Sequence, residues 1–170
     1  DNDVYRAVTH NKGIMNGIIS VANAVGQDSR AIEAAANAYA AISGKYRSLS
    51  KWSKDNDGNL VGILEIPLSV GIVGGIVNVH PVAKVCAKIL NVASAQELAC
   101  VMTATGLAQN YSAIRALSTE GIQKGHMRLH ARNLAAAAGA TTDQIDTVVQ
   151  KMIESKKISL DSAKEILQNF

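Results

Sequence analysis

The segment from Thr9 to Gly17 contains a lysine framed by amide side chains, a combination that could bind and polarise a carbonyl group. Lys12 and Asn16 are four residues apart, so a helix would place both side chains on one face. The ammonium could stabilise an oxyanion while the amide fixes its geometry. Arg6, just upstream, could bind a carboxylate through two parallel hydrogen bonds. Spacing alone favours a second interpretation, in which Lys12 is solvated and Asn16 is a capping residue.

Two glycines lie in the same segment, Gly13 and Gly17. Each costs about 1 kcal/mol relative to alanine inside a helix. A pair of glycines so close together therefore predicts that another backbone approaches this segment closely.

Asp28 supports two interpretations. It precedes Ser29 and Arg30 as an N-cap would, because a carboxylate can accept hydrogen bonds from the free N–H groups of a first helical turn. If it turned inward towards a cation such as Lys12, it would stabilise the ammonium or share a proton with it. The sequence by itself favours the cap.

His126 is a candidate general acid. It follows Gly125 in a segment typical of a closing flap, and an ordinary histidine pKa of about 6.5 allows proton donation near neutral pH. His126 and His130 would share a helix face, but Met127 stands where the zinc-protease motif HExxH requires glutamate. No further ligand follows at a suitable spacing, so we predict no metal site.

Two amides form a further polar site, and the aromatic residues are expected to be structural. Gln109 and Asn110 interrupt a helix of small residues, where buried amides need hydrogen-bonding partners or a ligand. Tyr39, Tyr46 and Trp52 are typical of core or edge packing.

Composition excludes several classes of protein. The chain has 170 residues, of which 48% are hydrophobic and 18% charged, so it is long and apolar enough for a folded core and not disordered. A net charge of +3 without a basic block excludes a nucleic-acid groove but suits an anionic small molecule. No apolar run reaches the roughly 18 residues of a membrane span. Two cysteines without a paired motif predict a reducing compartment, the cytoplasm.

Caps, breakers and apolar periodicity predict a mostly helical α+β fold with one β-hairpin contributing to a sheet. Helices are predicted over 11–25, 29–42, 81–90, 95–118, 126–138, 142–155 and 159–169. Strands are predicted over 48–53 and 59–66 around a turn at 55–58. The glycine-rich connector 71–75 lacks the GxGxxG spacing of a dinucleotide loop.

Four segments together resemble the class II 3-hydroxy-3-methylglutaryl-CoA reductases. They are THNKGIMNGI, GQDSRAIEAAANAYAA, LVGILEIPLSVGIVGG with VHP, and GLAQNYSAIRALSTEGIQKGHMRLHARN, in order along nearly the whole chain. The resemblance implies reduction of hydroxymethylglutaryl-CoA to mevalonate, an isoprenoid precursor, and free CoA with two hydrides from NADH or NADPH, or the reverse reaction. It further implies a homodimer or higher homo-oligomer with its active site at the subunit interface, and no membrane or nucleic-acid partner.

The same resemblance assigns roles to individual residues. Lys12 would stabilise the substrate oxygen as hydride arrives. Asp28 would interact with that lysine, so the two side chains are expected to lie within hydrogen-bond or ion-pair reach. His126 would protonate the departing CoA thiolate. Three further positions match residues that hold the hydroxymethylglutaryl end of the substrate: Arg6, Asn16 and Asn110.

The resemblance covers only part of the family's architecture. Residues 1–120 resemble the C-terminal portion of the large substrate-binding domain, and residues 121–170 resemble the helical C-terminal flap. The catalytic glutamate and the small cofactor-binding domain lie in an N-terminal part without a counterpart here, and the chain lacks an initiator methionine. We therefore expect a partial chain that binds NADH or NADPH mainly through missing parts and does not complete the reaction. The alternative is a non-catalytic acyl-CoA-binding or dimerisation module derived from the family.

Overall fold

The computed structural model describes residues 2–119 and 121–169, apart from the side chains of 122–125. Within them it contains seven α-helices, and their bounds follow the predicted caps closely. The helices are α1 Val4–Ala24, α2 Ser29–Ala41, α3 Pro81–Leu90, α4 Ala95–Ser118, α5 Ile122–Ala137, α6 Thr142–Glu154 and α7 Leu160–Gln168. The predicted mostly helical α+β class is confirmed.

The described sheet is a single antiparallel hairpin. Strand β1, Ser50–Lys54, pairs with β2, Leu60–Leu64, in a register that places Trp52 opposite Gly62. Asp55 closes the connecting turn, because its carboxylate accepts hydrogen bonds from the N–H groups of Asp57 and Asn59. The side-chain amide of Asn59 also donates to Asp55, at 3.1 Å, and this bond, followed by those from the backbone, favours the charged carboxylate and lowers the pKa of Asp55.

The chain divides into two compact units, Asp1–Ile114 and Arg115–Phe170, with the boundary inside α4. The core of the first unit is formed by apolar side chains of α1, α2 and α4, among them Ile14, Ile18, Ile32, Leu98 and Met102. The second unit packs α5, α6 and α7 around small and branched side chains: Ala131, Ala135, Val148, Val149, Met152 and Ala163. Each unit thus has a hydrophobic core of its own.

The close approach predicted near Lys12 exists at one of the two glycines. A Cβ on Gly17 would lie 2.7 Å from the carbonyl oxygen of Thr105 in α4, so only glycine fits there. Gly13, by contrast, has no atom within 4 Å of such a Cβ. The expectation is therefore correct for Gly17 and wrong for Gly13.

Two helix starts differ from the predicted ones. α1 begins at Val4 instead of residue 11, because Asp3 accepts hydrogen bonds from the N–H groups of Tyr5 and Arg6 and so caps the helix earlier. α5 begins at Ile122 instead of residue 126, because the chain turns at Gly121 and the helix continues through Gly125. Arg6, Lys12 and Asn16 consequently all belong to one helix.

A helix must be both long and apolar to span a membrane. No single described helix is long and apolar enough to cross a membrane. The pair α3 and α4, bent by 84° at their junction, meets the criteria only when the two are taken together, by length and composition.

Candidate functional site

Lys12 lines a cleft of about 630 Å³ between α1 and α2. We call this the Lys12 cleft. Its polar lining side chains are Asn11, Lys12, Asn16, Ser20, Asn23, Glu33, Asn37 and Tyr46. Lys12 and Asn16 share the face of α1 that borders this cleft, as their spacing predicts.

The ammonium of Lys12 has no protein partner in the described part of the chain. Lys12 is exposed, and neither an ion pair nor a hydrogen bond of its side chain occurs among the described residues. The side chain of Asn16 is exposed and likewise makes no hydrogen bond there. An ammonium and an amide that face a cleft without partners can both bind a ligand oxygen.

The walls of the Lys12 cleft are held by hydrogen bonds. Buried Asn11 donates through Nδ2 to the carbonyl of Arg47 at 2.8 Å and accepts at Oδ1 from the N–H of Leu49 at 2.9 Å. Across the cleft, Tyr46 donates through its hydroxyl to Asn37 Oδ1 at 2.8 Å. These amides are structural, whereas Lys12 and Asn16 are among the lining groups that remain available to a ligand.

The predicted contact between Asp28 and Lys12 is wrong within one chain. Asp28 is the N-cap of α2: its Oδ1 accepts from the N–H groups of Arg30 and Ala31 at 3.1 and 3.2 Å. Its described ion pair is with Arg30, at 3.8 Å. The physical reason is the length of α1, because the twelve helical steps from Lys12 to Ala24 rise by roughly 18 Å before the chain turns back.

Asn110 is buried on another side of α1, in a network that we call the Asn110 network: His10, Ser50, Trp52 and Asn110. Ser50 Oγ donates to Asn110 Oδ1 at 2.8 Å, and Trp52 Nε1 donates to the same oxygen at 2.8 Å. His10 Nε2 lies 2.7 Å from Ser50 Oγ, while Asn110 Nδ2 lies 3.3 Å from His10 Nε2 and 3.5 Å from His10 Nδ1. The predicted need of a buried amide for partners is confirmed at Asn110.

The environment of His10 keeps its imidazole neutral. His10 is half-buried, and burial disfavours the cation, so the pKa of His10 lies below its usual 6.5. A neutral imidazole has one donor and one acceptor nitrogen, and the neighbouring hydrogen bonds decide which is which.

The remaining predicted residues are placed as follows. Arg6 is exposed in the first turns of α1, and helix geometry puts it one turn before His10 on the same face. His126 is exposed in α5 of the second unit, with His130 one turn further along. Gln109 is exposed, unlike its buried neighbour Asn110.

Sequence reasoning missed four residues near these sites. His10 and Ser50 form the Asn110 network with Trp52, which was expected only to pack. Glu33 and Asn37 line the Lys12 cleft from α2. The available signal was spacing: His10 lies four residues after Arg6, and Glu33 lies four residues before Asn37.

A second cleft, of about 510 Å³, lies in the same unit and contains none of the predicted site residues. Its floor is apolar, and two lysines of α3, Lys84 and Lys88, contribute to its lining. Gln27 at its edge is held by a pair of hydrogen bonds with the backbone of Gly71, at 2.8 and 2.9 Å.

The glycine-rich connector does not fit a nicotinamide dinucleotide. It leads into a four-residue 3₁₀ helix, Gly75–Asn78. The preceding residue, Gly74, has no side chain that could cap this helix. A pyrophosphate is held by the N–H groups at the start of an α-helix that follows a strand directly. This connector offers no such start.

Known proteins identify the family of the chain. The family model described as hydroxymethylglutaryl-coenzyme A reductase matches residues 1–131. The 3-hydroxy-3-methylglutaryl-coenzyme A reductase of Archaeoglobus fulgidus is 58% identical over 99% of this chain and 38% of its own length. The probable reductase of Borreliella burgdorferi is 49% identical over 97% of this chain and 39% of its own length.

Solved structures agree with the sequence comparisons. A 3-hydroxy-3-methylglutaryl-coenzyme A reductase from Streptococcus pneumoniae matches with a TM-score of 0.68 and 42% identity, over 99% of this chain and 40% of that one. The class II reductase from the same organism, bound to NADPH in open conformations, matches with a TM-score of 0.67 and 43% identity, over 98% of this chain and 41% of that one.

Fold and site together define a mostly helical α+β chain with a lysine–amide cleft between its first two helices. This chain belongs to the hydroxymethylglutaryl-coenzyme A reductase family. It spans 38% and 39% of the length of the two curated relatives described above.

Proposed function

We propose that the chain is part of a hydroxymethylglutaryl-CoA reductase, which reduces the thioester to mevalonate and free CoA or runs the reverse reaction. The observation that carries the proposal is that Lys12 and Asn16 both line the Lys12 cleft. Neither side chain has a protein partner among the described residues. Family membership supplies the substrate class. No observation favours the alternative of a non-catalytic module.

Lys12 and Asn16 would bind the carbonyl oxygen that becomes negative during the reaction. An ammonium stabilises that charge, and Lys12 forms no ion pair within the described chain that would turn it away from the cleft. Asn16 would donate from the same helix face and fix the position of the oxygen. Exposed Arg6 would bind the terminal carboxylate through two parallel hydrogen bonds.

His126 would protonate the CoA thiolate as it leaves. A thiolate whose conjugate thiol has a pKa of about 8.5 takes a proton readily from an imidazolium with a pKa of about 6.5. Protonation prevents the thiolate from recombining with the aldehyde. His126 is exposed, so its ring is accessible to a leaving group.

Asp28 would act across a subunit interface. Since α1 separates it from Lys12 of its own chain, the expected contact is possible only with Lys12 of a second subunit in a homodimer. In such a dimer each site would combine Lys12 of one subunit with Asp28 of the other. The N-cap role of Asp28 is compatible with this, because the capping bonds are made by Oδ1.

The hydride would come from NADH or NADPH bound mainly outside this chain. The connector 71–75 does not fit the dinucleotide, so the residues of this chain bind substrate and move protons. We further propose a cytoplasmic homodimer. Cys86 and Cys100 form no disulfide in the described chain, which is compatible with a reducing compartment.

A chimaera tests the activity. This chain would replace the matching part of the Archaeoglobus fulgidus reductase, to which it is 58% identical, and thioester reduction would be measured. We expect an active chimaera in which Lys12→Met lowers kcat by roughly 10²–10³-fold, the usual cost of removing an oxyanion-stabilising group. Lys45→Ala, an exposed lysine outside the cleft, is the matched control. Full activity of Lys12→Met would refute the role of Lys12.

Mixing two inactive variants tests the shared site. Lys12→Met and Asp28→Asn chimaeras would be unfolded, mixed in equal amounts and refolded together. If each site takes Lys12 and Asp28 from different subunits, half of the dimers are mixed and carry one intact site, which restores about a quarter of wild-type activity. No restoration, with mixed dimers confirmed by mass spectrometry, would exclude the shared site.

A further inference from the structure

The hydrogen atoms in the Asn110 network can be assigned from donor and acceptor counts. The indole N–H of Trp52 can only donate, so the Asn110 atom 2.8 Å from it is the oxygen Oδ1. The Ser50 hydroxyl, also 2.8 Å from Oδ1, must point its hydrogen at that oxygen. Its own oxygen then accepts from His10, which places the imidazole hydrogen on Nε2.

This assignment leaves Asn110 with an unused donor. Oδ1 accepts two hydrogen bonds and is saturated. Nδ2 carries two hydrogens, and its described neighbours are only the two ring nitrogens of His10, at 3.3 and 3.5 Å. Nε2 of His10 already carries a hydrogen, so Nδ1 alone can accept. At least one N–H of Asn110 therefore has no acceptor among the described residues.

A buried amide with an unpaired N–H group lowers the stability of the fold unless a ligand accepts a hydrogen bond from it. Asn110 is 1% exposed, and an unsatisfied buried donor costs about 1–3 kcal/mol. The short bonds are all at the oxygen end, and the long contacts are all at the nitrogen end. The network therefore holds the amide in one orientation, with its nitrogen as the end that still has a hydrogen to donate.

We propose that His10 and Ser50 are positioning residues that hold Asn110 as a hydrogen-bond donor to a single substrate oxygen. The inference rests on the proposed function, in which Asn110 belongs to the substrate site. It specifies the chemistry of the contact: Asn110 selects a carboxylate, carbonyl or hydroxyl oxygen and rejects a donor at that point. His10 acts through Ser50, and its Nε2–H tautomer keeps the Ser50 hydroxyl pointed at Asn110.

Nuclear magnetic resonance of the ¹⁵N-labelled chain tests the assignment without any activity. At pH 7.5 we expect His10 as the neutral Nε2–H tautomer, and Ser50→Ala should abolish its preference for that tautomer. Thr9→Ala, an exposed neighbour on the same helix, should leave the His10 signals in place. A neutral Nδ1–H tautomer in the wild-type chain would overturn the proposal.

Kinetics of the chimaera test the consequence for substrate. His10→Leu removes the donor to Ser50 and should raise KM for hydroxymethylglutaryl-CoA by about tenfold, the loss of one well-placed hydrogen bond, with little change in kcat. His10→Gln keeps an N–H donor and should restore most of the affinity. An unchanged KM in His10→Leu, or equal losses of KM and kcat in both variants, would overturn the positioning role.

The outcomes separate this inference from the proposed function. An inactive wild-type chimaera counts against the proposed function, while the tautomer of His10 still decides the hydrogen assignment. An active chimaera in which Asn110→Asp binds substrate normally overturns the donor role, because aspartate keeps the acceptor for Ser50 and Trp52 but has no N–H to offer.

Discussion

The Lys12 cleft and the Asn110 network lie on different sides of α1, and their polar side chains differ in exposure and in hydrogen bonding. In the cleft, Lys12 and Asn16 are exposed and bind no other described residue. In the network, Asn110 is 1% exposed and its oxygen accepts from both Ser50 and Trp52. One helix thus presents an open polar surface on one side and a nearly closed one on the other.

The difference shows how a polar residue can serve binding or stability. A buried group must have partners, so changing it destabilises the fold as well as any site it belongs to. An exposed group without partners contributes little to stability and is free to bind a ligand. Substitutions on the two sides of α1 should therefore separate activity from stability, and each of the following variants tests that separation.

The largest expected loss of stability is at Asn110. Asn110→Ala removes the acceptor of two donors, Ser50 and Trp52, and should lower the free energy of unfolding by about 2–4 kcal/mol. Asn16→Ala, on the cleft side, should change it by less than about 0.5 kcal/mol. Urea titration followed by fluorescence measures both, because Trp52 is the chain's single tryptophan and reports on the network. Equal effects of the two variants would remove the distinction between the surfaces.

The elements of this chain could be predicted from its sequence because their signals are local. Asp28 caps α2 and Pro81 begins α3 as expected, since both effects depend on a few neighbouring residues. The start of α1 was predicted seven residues too late, although Asp3 carries the same kind of cap. Gly13 and Gly17 look alike in sequence and differ only in what packs against them.

The site could be predicted only in part because its contacts join distant segments. Lys12 and Asn16 are one helical turn apart, so their shared face followed from spacing. Their relation to Asp28 depends on the length and direction of two helices, and the predicted contact is wrong within one chain. The bond from Ser50 to Asn110 spans sixty residues, and no local pattern indicates it.

The two glycines of α1 provide the next test, because one faces α4 and the other faces open space. Gly17→Ala would place a Cβ 2.7 Å from the Thr105 carbonyl and should cost about 1–3 kcal/mol through backbone displacement. Gly13→Ala should stabilise the chain by up to about 1 kcal/mol, since alanine is the better helix former. Thermal unfolding monitored by circular dichroism compares them, and a destabilising Gly13→Ala would contradict the assignment.

A smaller effect is expected at Asp28, where capping can be separated from charge. Asp28→Ala removes the acceptor for the N–H groups of Arg30 and Ala31 and should cost about 1 kcal/mol. Asp28→Asn caps equally well and should change stability by less than about 0.5 kcal/mol. The ion pair with Arg30 is exposed and adds little. If Asp28→Asn destabilised the isolated chain as much as Asp28→Ala, the asparagine would not preserve the cap. Asp28→Asn could then not be used to remove the charge alone.

The smallest expected effect is the pH dependence that His10 gives to stability. Burial lowers the pKa of His10 in the folded chain below its usual 6.5, so the unfolded chain binds a proton more readily. Stability from this residue is therefore complete above about pH 6.5 and declines as the pH falls from there towards the folded pKa. Asp55 and Asp143, whose pKa values are also lowered, titrate in a more acidic range. Urea titrations at pH 7.5 and 5.5 should show a smaller acid destabilisation in His10→Gln than in the wild-type chain. If both proteins lost the same stability at pH 5.5, His10 would not be held neutral. The Asn110 network would then accept a protonated imidazole, contrary to its hydrogen bonds.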